Sequence, residues 1–192
     1  MVETVVKLGG GVLAHPTALD RALDTIARGA RTLRLVVVPG GGPFADAVRE
    51  ADQQHGLSDT AAHWMATLAM DQYAHLLASR LTGAALVTTA PEIDAALDAE
   101  RVPVLAPYRW LQEADPLPHS WDVTSDTIAA WLAGELGASR LVLVKPPHLR
   151  GHAADRELVD AYFPSALPAH VRSVVVAADD IPALEAALRP SV

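Results

Sequence analysis

The sequence predicts an α/β fold with a mostly parallel central sheet and helices on both faces. Three observations lead there. Short, Val-rich apolar runs alternate with amphipathic helical stretches along the chain, the pattern of βαβ units. The runs at 2–8 and 33–38 are nearly continuous in apolar character, as strands covered on both faces are. Each run then stops in three glycines, Gly9-Gly10-Gly11 and Gly40-Gly41-Gly42. Loops without side chains let backbone N–H groups approach a ligand, usually an anion.

The elements follow in order. After the first strand (2–8), His15-Pro16-Thr17 opens a helix of about 18–30, with Leu19, Leu23 and Ile26 on one face and Gly29 near its end. After the second strand (33–38), Pro43 suits the first turn of a helix that runs to about Gln54. A long helix over about 60–81 places Met65, Leu68, Ala69, Tyr73, Leu76, Leu77 and Leu81 on its buried face. His63, Thr67, Asp71 and His75 recur every four residues as a polar stripe. The stripe is either a solvated face or, at His63 or Asp71, the wall of a pocket. Residues 85–88 and 102–106 read as strands around a helix at 91–100. Residues 108–122 carry Tyr108, Arg109, Trp110, His119, Ser120 and Trp121 and read as a loop of the kind that carries function. A helix of about 125–136 has Thr124 or Ser125 as N-cap, Asp126 in its first turn and Gly137 as its stop. A strand at 140–144 leads into the basic, proline-broken run 145–152. A short helix at 155–162, a turn at 164–168, a strand at 172–177 and a helix at 180–188 complete the chain. No linker divides the sequence, so one domain over 1–192 is expected.

Composition removes several function classes. With 192 residues, 51% of them hydrophobic and 20% charged, the chain has an ordinary globular balance. Its formal net charge is −8, and Lys and Arg form no cluster of the kind that holds nucleic acid. The absence of cysteine removes disulfides, zinc-thiolate sites, iron–sulfur clusters and cysteine nucleophiles. No apolar stretch approaches the roughly 18 residues of a membrane span, and no signal peptide is visible. The expectation is a soluble cytoplasmic protein without a membrane or nucleic-acid partner.

The glycine runs need a chemistry. Gly9, Gly11 and Ala14 fit the dinucleotide fingerprint, as do Gly40, Gly42 and Ala45. The acidic residue that such a site wants at the end of the second strand is replaced by Pro39-Gly40. The Walker A loop and the protein-kinase motifs are absent. What stays is Lys7, one residue before a glycine run, with a second run expected to face it. A lysine ammonium is a compact charge suited to phosphate. In phosphoryl transfer the protein mainly aligns donor and acceptor and neutralises charge, which Lys7, two backbone nests and a bound Mg²⁺ can do.

Val5-Val6-Lys7-Leu8-Gly9-Gly10, Val38-Pro39-Gly40-Gly41-Gly42-Pro43-Phe44-Ala45 and Thr124-Ser125-Asp126-Thr127-Ile128-Ala129 together resemble the amino acid kinase (aspartokinase/uridylate kinase) superfamily. Asp46 with Val48-Arg49, His63, Met70-Asp71, the run His119-Ser120-Trp121-Asp122-Val123-Thr124-Ser125-Asp126 and Tyr162-Phe163-Pro164 resemble one branch of it. That branch contains the [5-(aminomethyl)furan-3-yl]methyl phosphate kinases of methanofuran biosynthesis. The resemblance implies a three-layer αβα fold, ATP with Mg²⁺, a phosphate monoester as acceptor and a homo-oligomer. It also implies roles. Lys7 would bind the transferring phosphoryl group. Gly9, Gly10, Gly11, Gly40, Gly41 and Gly42 would line the phosphates. Asp126 would organise the site, by pairing with a lysine or through the metal. His63, Asp71, His119 and Trp121 would meet the acceptor. An aminofuran ring would stack on an aromatic, and its ammonium would want Asp71 or Asp122. No general base is required, because a phosphate monoester with a second pKa near ~6 is already ionised at neutral pH.

The chain also departs from that pattern. Active members of the superfamily usually carry Thr-Asp-Val-Asp-Gly after the strand that ends here at Val144. This sequence has Lys145-Pro146-Pro147-His148-Leu149-Arg150-Gly151. Two readings follow. Lys145 replaces the missing phosphate ligand in a working kinase, or the chain is a non-catalytic ligand-binding or assembly protein with a degenerate nucleotide loop.

Overall fold

The structure, a computed structural model, describes residues 1–147 and 158–190. Six strands form one sheet: β1 (Thr4–Leu8), β2 (Leu35–Pro39), β3 (Ala84–Val87), β4 (Val102–Leu105), β5 (Arg140–Lys145) and β6 (Arg172–Ala177). Their order is β3-β4-β2-β1-β5-β6, and every pairing is parallel. The "mostly parallel" expectation is therefore met in full. The chain starts in the middle of the sheet, with β2 on one side of β1 and β5 on the other. Open α/β sheets place their ligands beyond the carboxyl ends of the strands, where the strand order reverses.

Helices cover both faces, giving the three layers. They are α1 (Pro16–Gly29), α2 (Gly42–His55), α3 (Asp59–Arg80), α4 (Ala90–Asp98), α5 (Tyr108–Ala114), α6 (Ser125–Glu135), α7 (Phe163–Ala166) and α8 (Ile181–Ala187). The period-2 rule sorts the strand residues between two cores. Val6, Leu8, Leu35, Val37, Val142 and Val144 pack with α1, α8 and the later turns of α3. Val5, Val36, Val38, Leu141 and Leu143 pack with α4, α5 and α6. Lys7 falls on the same face as Val5, and Lys145 on the same face as Leu143, opposite Val6 and Val144. Both lysines thereby belong to the α6 face.

Four expectations change. Residues 108–122 are not all loop, because Tyr108–Ala114 is helical. Asp71 Oδ1 accepts the Tyr108 N–H at 3.0 Å, satisfying an end-group that the sequence gives no local cap for. The short helix expected at 155–162 lies partly outside the described residues, and 158–162 is not helical. One helical turn comes later, at Phe163–Ala166, where a turn at 164–168 was expected, with Pro164 in its first turn. On α3, Met65 and Leu68 are 38% and 42% exposed. Thr67, placed on the polar stripe by its spacing, is buried and donates its hydroxyl to the Trp64 carbonyl. The helix is covered by α2 and α5 as well as by the sheet, so its buried face is wider and rotated from the one that periodicity picks out. Lastly, β2 begins at Leu35, because Leu33 and Arg34 lie before the first ladder pair, Thr4 with Leu35.

Candidate active site

Lys7 and Lys145 end neighbouring strands, and α6 brings Asp126 between them. Lys7 Nζ lies 2.8 Å from Asp126 Oδ1 and Lys145 Nζ 2.5 Å from Oδ2. All three residues are buried, at 3%, 8% and 4% exposure. The sequence contains two lysines in all against thirteen arginines, so both lysines of the chain end on one carboxylate. Burial pushes the Asp126 carboxyl up, but Lys7 and Lys145 together outweigh it and hold the group below its ordinary value. Burial and the Lys7 charge push Lys145 down, opposed by Asp126 and Asp160. Two ammonium groups and one carboxylate leave one positive charge in excess within the group, which Asp160 offsets only from outside it, and such a charge suits an anion.

Asp126 owes its place to the start of α6. Thr124 is the N-cap, and its hydroxyl accepts the Asp126 N–H at 3.3 Å. Asp126 is then the second residue of the helix, where the dipole favours a carboxylate.

The glycine runs meet each other. A Cβ on Gly10 would lie 2.1 Å from Gly42 N, and one on Gly40 would lie 2.5 Å from Gly10 N. The opposing atoms are backbone and cannot rotate away, so two strand-end loops come into direct backbone contact only because neither has side chains. The first run is not an open loop: Gly10–Ala14 is a 3-10 turn. The second runs straight into α2, with Gly42 at φ +57.

Gly10, Gly11, Gly41 and Gly42 form one wall of a cavity of about 320 Å³. The rest of its lining includes Asp46 and Arg49 of α2, Asp59, His63 and Thr67 of α3, and Ser120, Trp121, Val123, Thr124 and Ser125. Trp121 is part of this lining. Its indole N–H donates to Asp52 Oδ2 at 2.7 Å, and the Arg49 guanidinium lies 4.7 Å from its ring centre. The N–H is thus committed to the protein, and what the ring offers the cavity is its apolar surface. His63 lines the cavity too, stacked on His119 with ring centres 4.4 Å apart. Burial and the His119 ring push the His63 pKa down, with Asp115 opposing, so His63 is neutral near pH 7.

The other two acceptor-side candidates do not reach the cavity. Asp71 is spent on the Tyr108 N–H, and burial pushes its carboxyl up. His119 holds Asp115 Oδ1 at 2.9 Å and Thr60 Oγ1 at 3.0 Å, tying the loop after α5 to the start of α3. Asp122 is exposed and is likewise absent from the lining residues. Among the described residues, the carboxylates lining the cavity are Asp46 and Asp59; sequence reasoning includes Asp46 only as part of the resemblance and assigns neither residue a site role.

Lys145 is also corrected in place. It does not project from the loop that follows β5; it turns inward onto Asp126. Of the run read as a changed nucleotide loop, residues 148–151 lie outside the described residues.

The amino acid kinase family profile matches residues 3–146. The chain belongs to the amino acid kinase family. It is 27% identical over 139 residues to a [5-(aminomethyl)furan-3-yl]methyl phosphate kinase from Methanocaldococcus jannaschii, covering 72% of this chain and 63% of that relative. The chain thus spans less than two thirds of the relative's length. Uridylate kinase from Archaeoglobus fulgidus superposes with a TM-score of 0.58 at 24% identity, over 75% of this chain and 63% of that one. Aspartate kinase from Synechocystis gives 0.64 at 16% identity, over 92% and 38%. At these identities the solved structures establish the fold alone. Among the described residues, no helix is long and apolar enough to cross a membrane.

Proposed function

We propose that the chain is an ATP-dependent phosphotransferase that converts a small phosphate monoester into a diphosphate. Its acceptor would be of the aminomethylfuran phosphate type, in a methanofuran-like C1-carrier pathway. The observation that carries the reading is the buried carboxylate shared by the chain's two lysines; the adjoining Thr124 and Ser125 line the cavity walled by backbone glycines, while the three charged side chains lie behind that lining. The excess positive charge suits a transferring phosphoryl group, and the glycine backbone lets phosphates come close. A phosphate oxygen of the acceptor attacks the γ-phosphorus, the bond to the β,γ-bridging oxygen breaks, and ADP leaves. Lys7 and Lys145 neutralise the moving group, and Asp126 keeps both ammonium groups in register. Trp121 and His63 supply flat surfaces for an acceptor ring, and Asp46 and Asp59 supply charge for its ammonium.

Among the described residues, no group of three or more His, Asp or Glu is arranged to hold a metal ion, and both Asp126 oxygens already face ammonium groups. These residues do not form a metal site of their own. Mg²⁺ would arrive on the phosphates of the nucleotide as part of the substrate.

The second reading, a non-catalytic ligand-binding or assembly protein, is favoured by Lys145-Pro146-Pro147 in place of the family's acidic loop. Phosphorus NMR with Mg-ATP and [5-(aminomethyl)furan-3-yl]methyl phosphate separates the two. The kinase reading predicts a new diphosphate signal and ADP, both lost in Lys7→Met. Unchanged spectra, together with no thermal stabilisation by Mg-ATP, would leave the non-catalytic reading.

A further inference from the structure

Asp160 accepts six hydrogen bonds from two separate segments. Its Oδ2 accepts from Thr124 N at 3.2 Å, Thr124 Oγ1 at 2.6 Å and Thr127 N at 3.2 Å. Its Oδ1 accepts from Thr127 Oγ1 at 2.5 Å, Tyr162 N at 3.1 Å and Phe163 N at 2.9 Å. A carboxylate has about four lone-pair sites, so these six donors saturate it. Two donors belong to the start of α7, which Asp160 precedes. The other four flank Asp126, coming from the residue two before it and the residue one after it.

The arrangement extends an ordinary helix cap. The side chain of an N-cap residue accepts from the second or third residue of the helix. Here Thr124 takes only the second, Asp126 N, and Asp160 takes the third, Thr127 N. Thr124 Oγ1 then acts as a relay, donating its proton to Asp160 while accepting from Asp126 N. Both threonines beside Asp126 are therefore held by one carboxylate from a segment that follows β5 and Lys145.

We propose that Asp160 is a positioning residue: it clamps the first turn of α6 and so fixes Asp126 between Lys7 and Lys145. Its part in catalysis rests on the phosphotransferase reading; its grip on the Lys–Asp–Lys group does not. Its charge also opposes the burial that pushes Lys145 down. Losing that charge should move the Lys145 titration to lower pH.

The test uses the full chain with ¹³C-labelled lysine, whose two side chains give a simple NMR spectrum. Asp160→Asn sets an amide against a ring of donors. Thr127→Val removes the hydroxyl donor alone and is the milder variant should Asp160→Asn fold poorly. Both should retain the wild-type circular dichroism. In both, the Lys145 ε-carbon titration should move to lower pH relative to wild type, and more so in Asp160→Asn. If the wild type turns over acceptor, kcat should fall roughly tenfold or more with the acceptor KM changed far less, as misplacement of a reacting group does. Unchanged lysine titrations in folded variants that have merely lost melting temperature would overturn the proposal, leaving Asp160 a stabilising residue only. Shifted titrations in a protein without kinase activity would sustain the positioning role while removing the phosphotransferase reading.

Discussion

Lys145 and Asp126 face each other across 2.5 Å, with Lys7 at 2.8 Å from the other oxygen of the same carboxylate. The three charges are not equivalent. Removing either lysine leaves a neutral buried pair, whereas removing the carboxylate leaves two buried cations without a partner. Lys7→Met should therefore fold with little loss of stability and have no phosphotransferase activity. Asp126→Asn should be destabilised by about 3–5 kcal/mol. Urea denaturation of the two variants beside the wild type reads the difference.

The same group sets a pH dependence. The folded Asp126 carboxyl titrates below its ordinary 3.8. Its stabilising contribution is therefore complete above the unfolded value and is lost as pH falls through the folded one. Urea midpoints measured between about pH 5 and pH 2 should fall, and Asp126→Asn should flatten that slope. On the alkaline side, Lys145 loses its proton below its ordinary 10.5. The rate of phosphoryl transfer should then decline with an apparent pKa under that value, because a neutral amine no longer offsets phosphate charge.

Gly10→Ala tests the contact between the glycine runs. The new methyl would meet Gly42 N and Gly42 Cα at 2.1 and 2.4 Å, so the two loops must part. A loss of stability of at least about 1–3 kcal/mol is expected, with nucleotide-induced stabilisation lost as well. Thermal melts with and without Mg-ATP measure both effects.

Tyr73 is fully buried, and among the described residues its hydroxyl has no hydrogen-bond partner. Burial pushes its phenol pKa up. An unpaired buried hydroxyl costs about 1–3 kcal/mol. Tyr73→Phe should therefore be neutral or raise stability by up to about 1 kcal/mol, read as a higher urea midpoint at unchanged slope.

Much of this fold was legible because strand, helix and glycine signals agree. The continuous apolar runs at β1, β2 and β5 and the cap at Thr124 each gave an element close to its observed position. Lys7, the glycines and Asp126 were found from motifs, and period-2 alternation places Lys7 on the face where α6 lies. What failed depended on partners distant in sequence. Asp71 was read as a substrate ligand because nothing local shows that it caps α5 at Tyr108. Met65 and Leu68 were placed inside because spacing alone cannot tell how neighbouring helices rotate a face. Lys145 read as a loop residue, since its inward turn depends on Asp126, nineteen positions earlier. Asp160 gave only a weak signal, an acidic residue just before Tyr162-Phe163-Pro164, and its six donors come from two separate segments.

The most direct test of the Lys7–Asp126–Lys145 site is a titration of ¹³C-lysine-labelled protein with Mg-ATP, and then with an acceptor phosphate, followed by NMR. The chain has two lysines, so every resonance belongs to the site. If this group receives the transferring phosphoryl, both lysine signals shift on saturation with Mg-ATP, and they fail to do so in Asp126→Asn. Mg-ATP and acceptor phosphate that leave both signals unmoved, at concentrations well above those of the protein, would contradict the account.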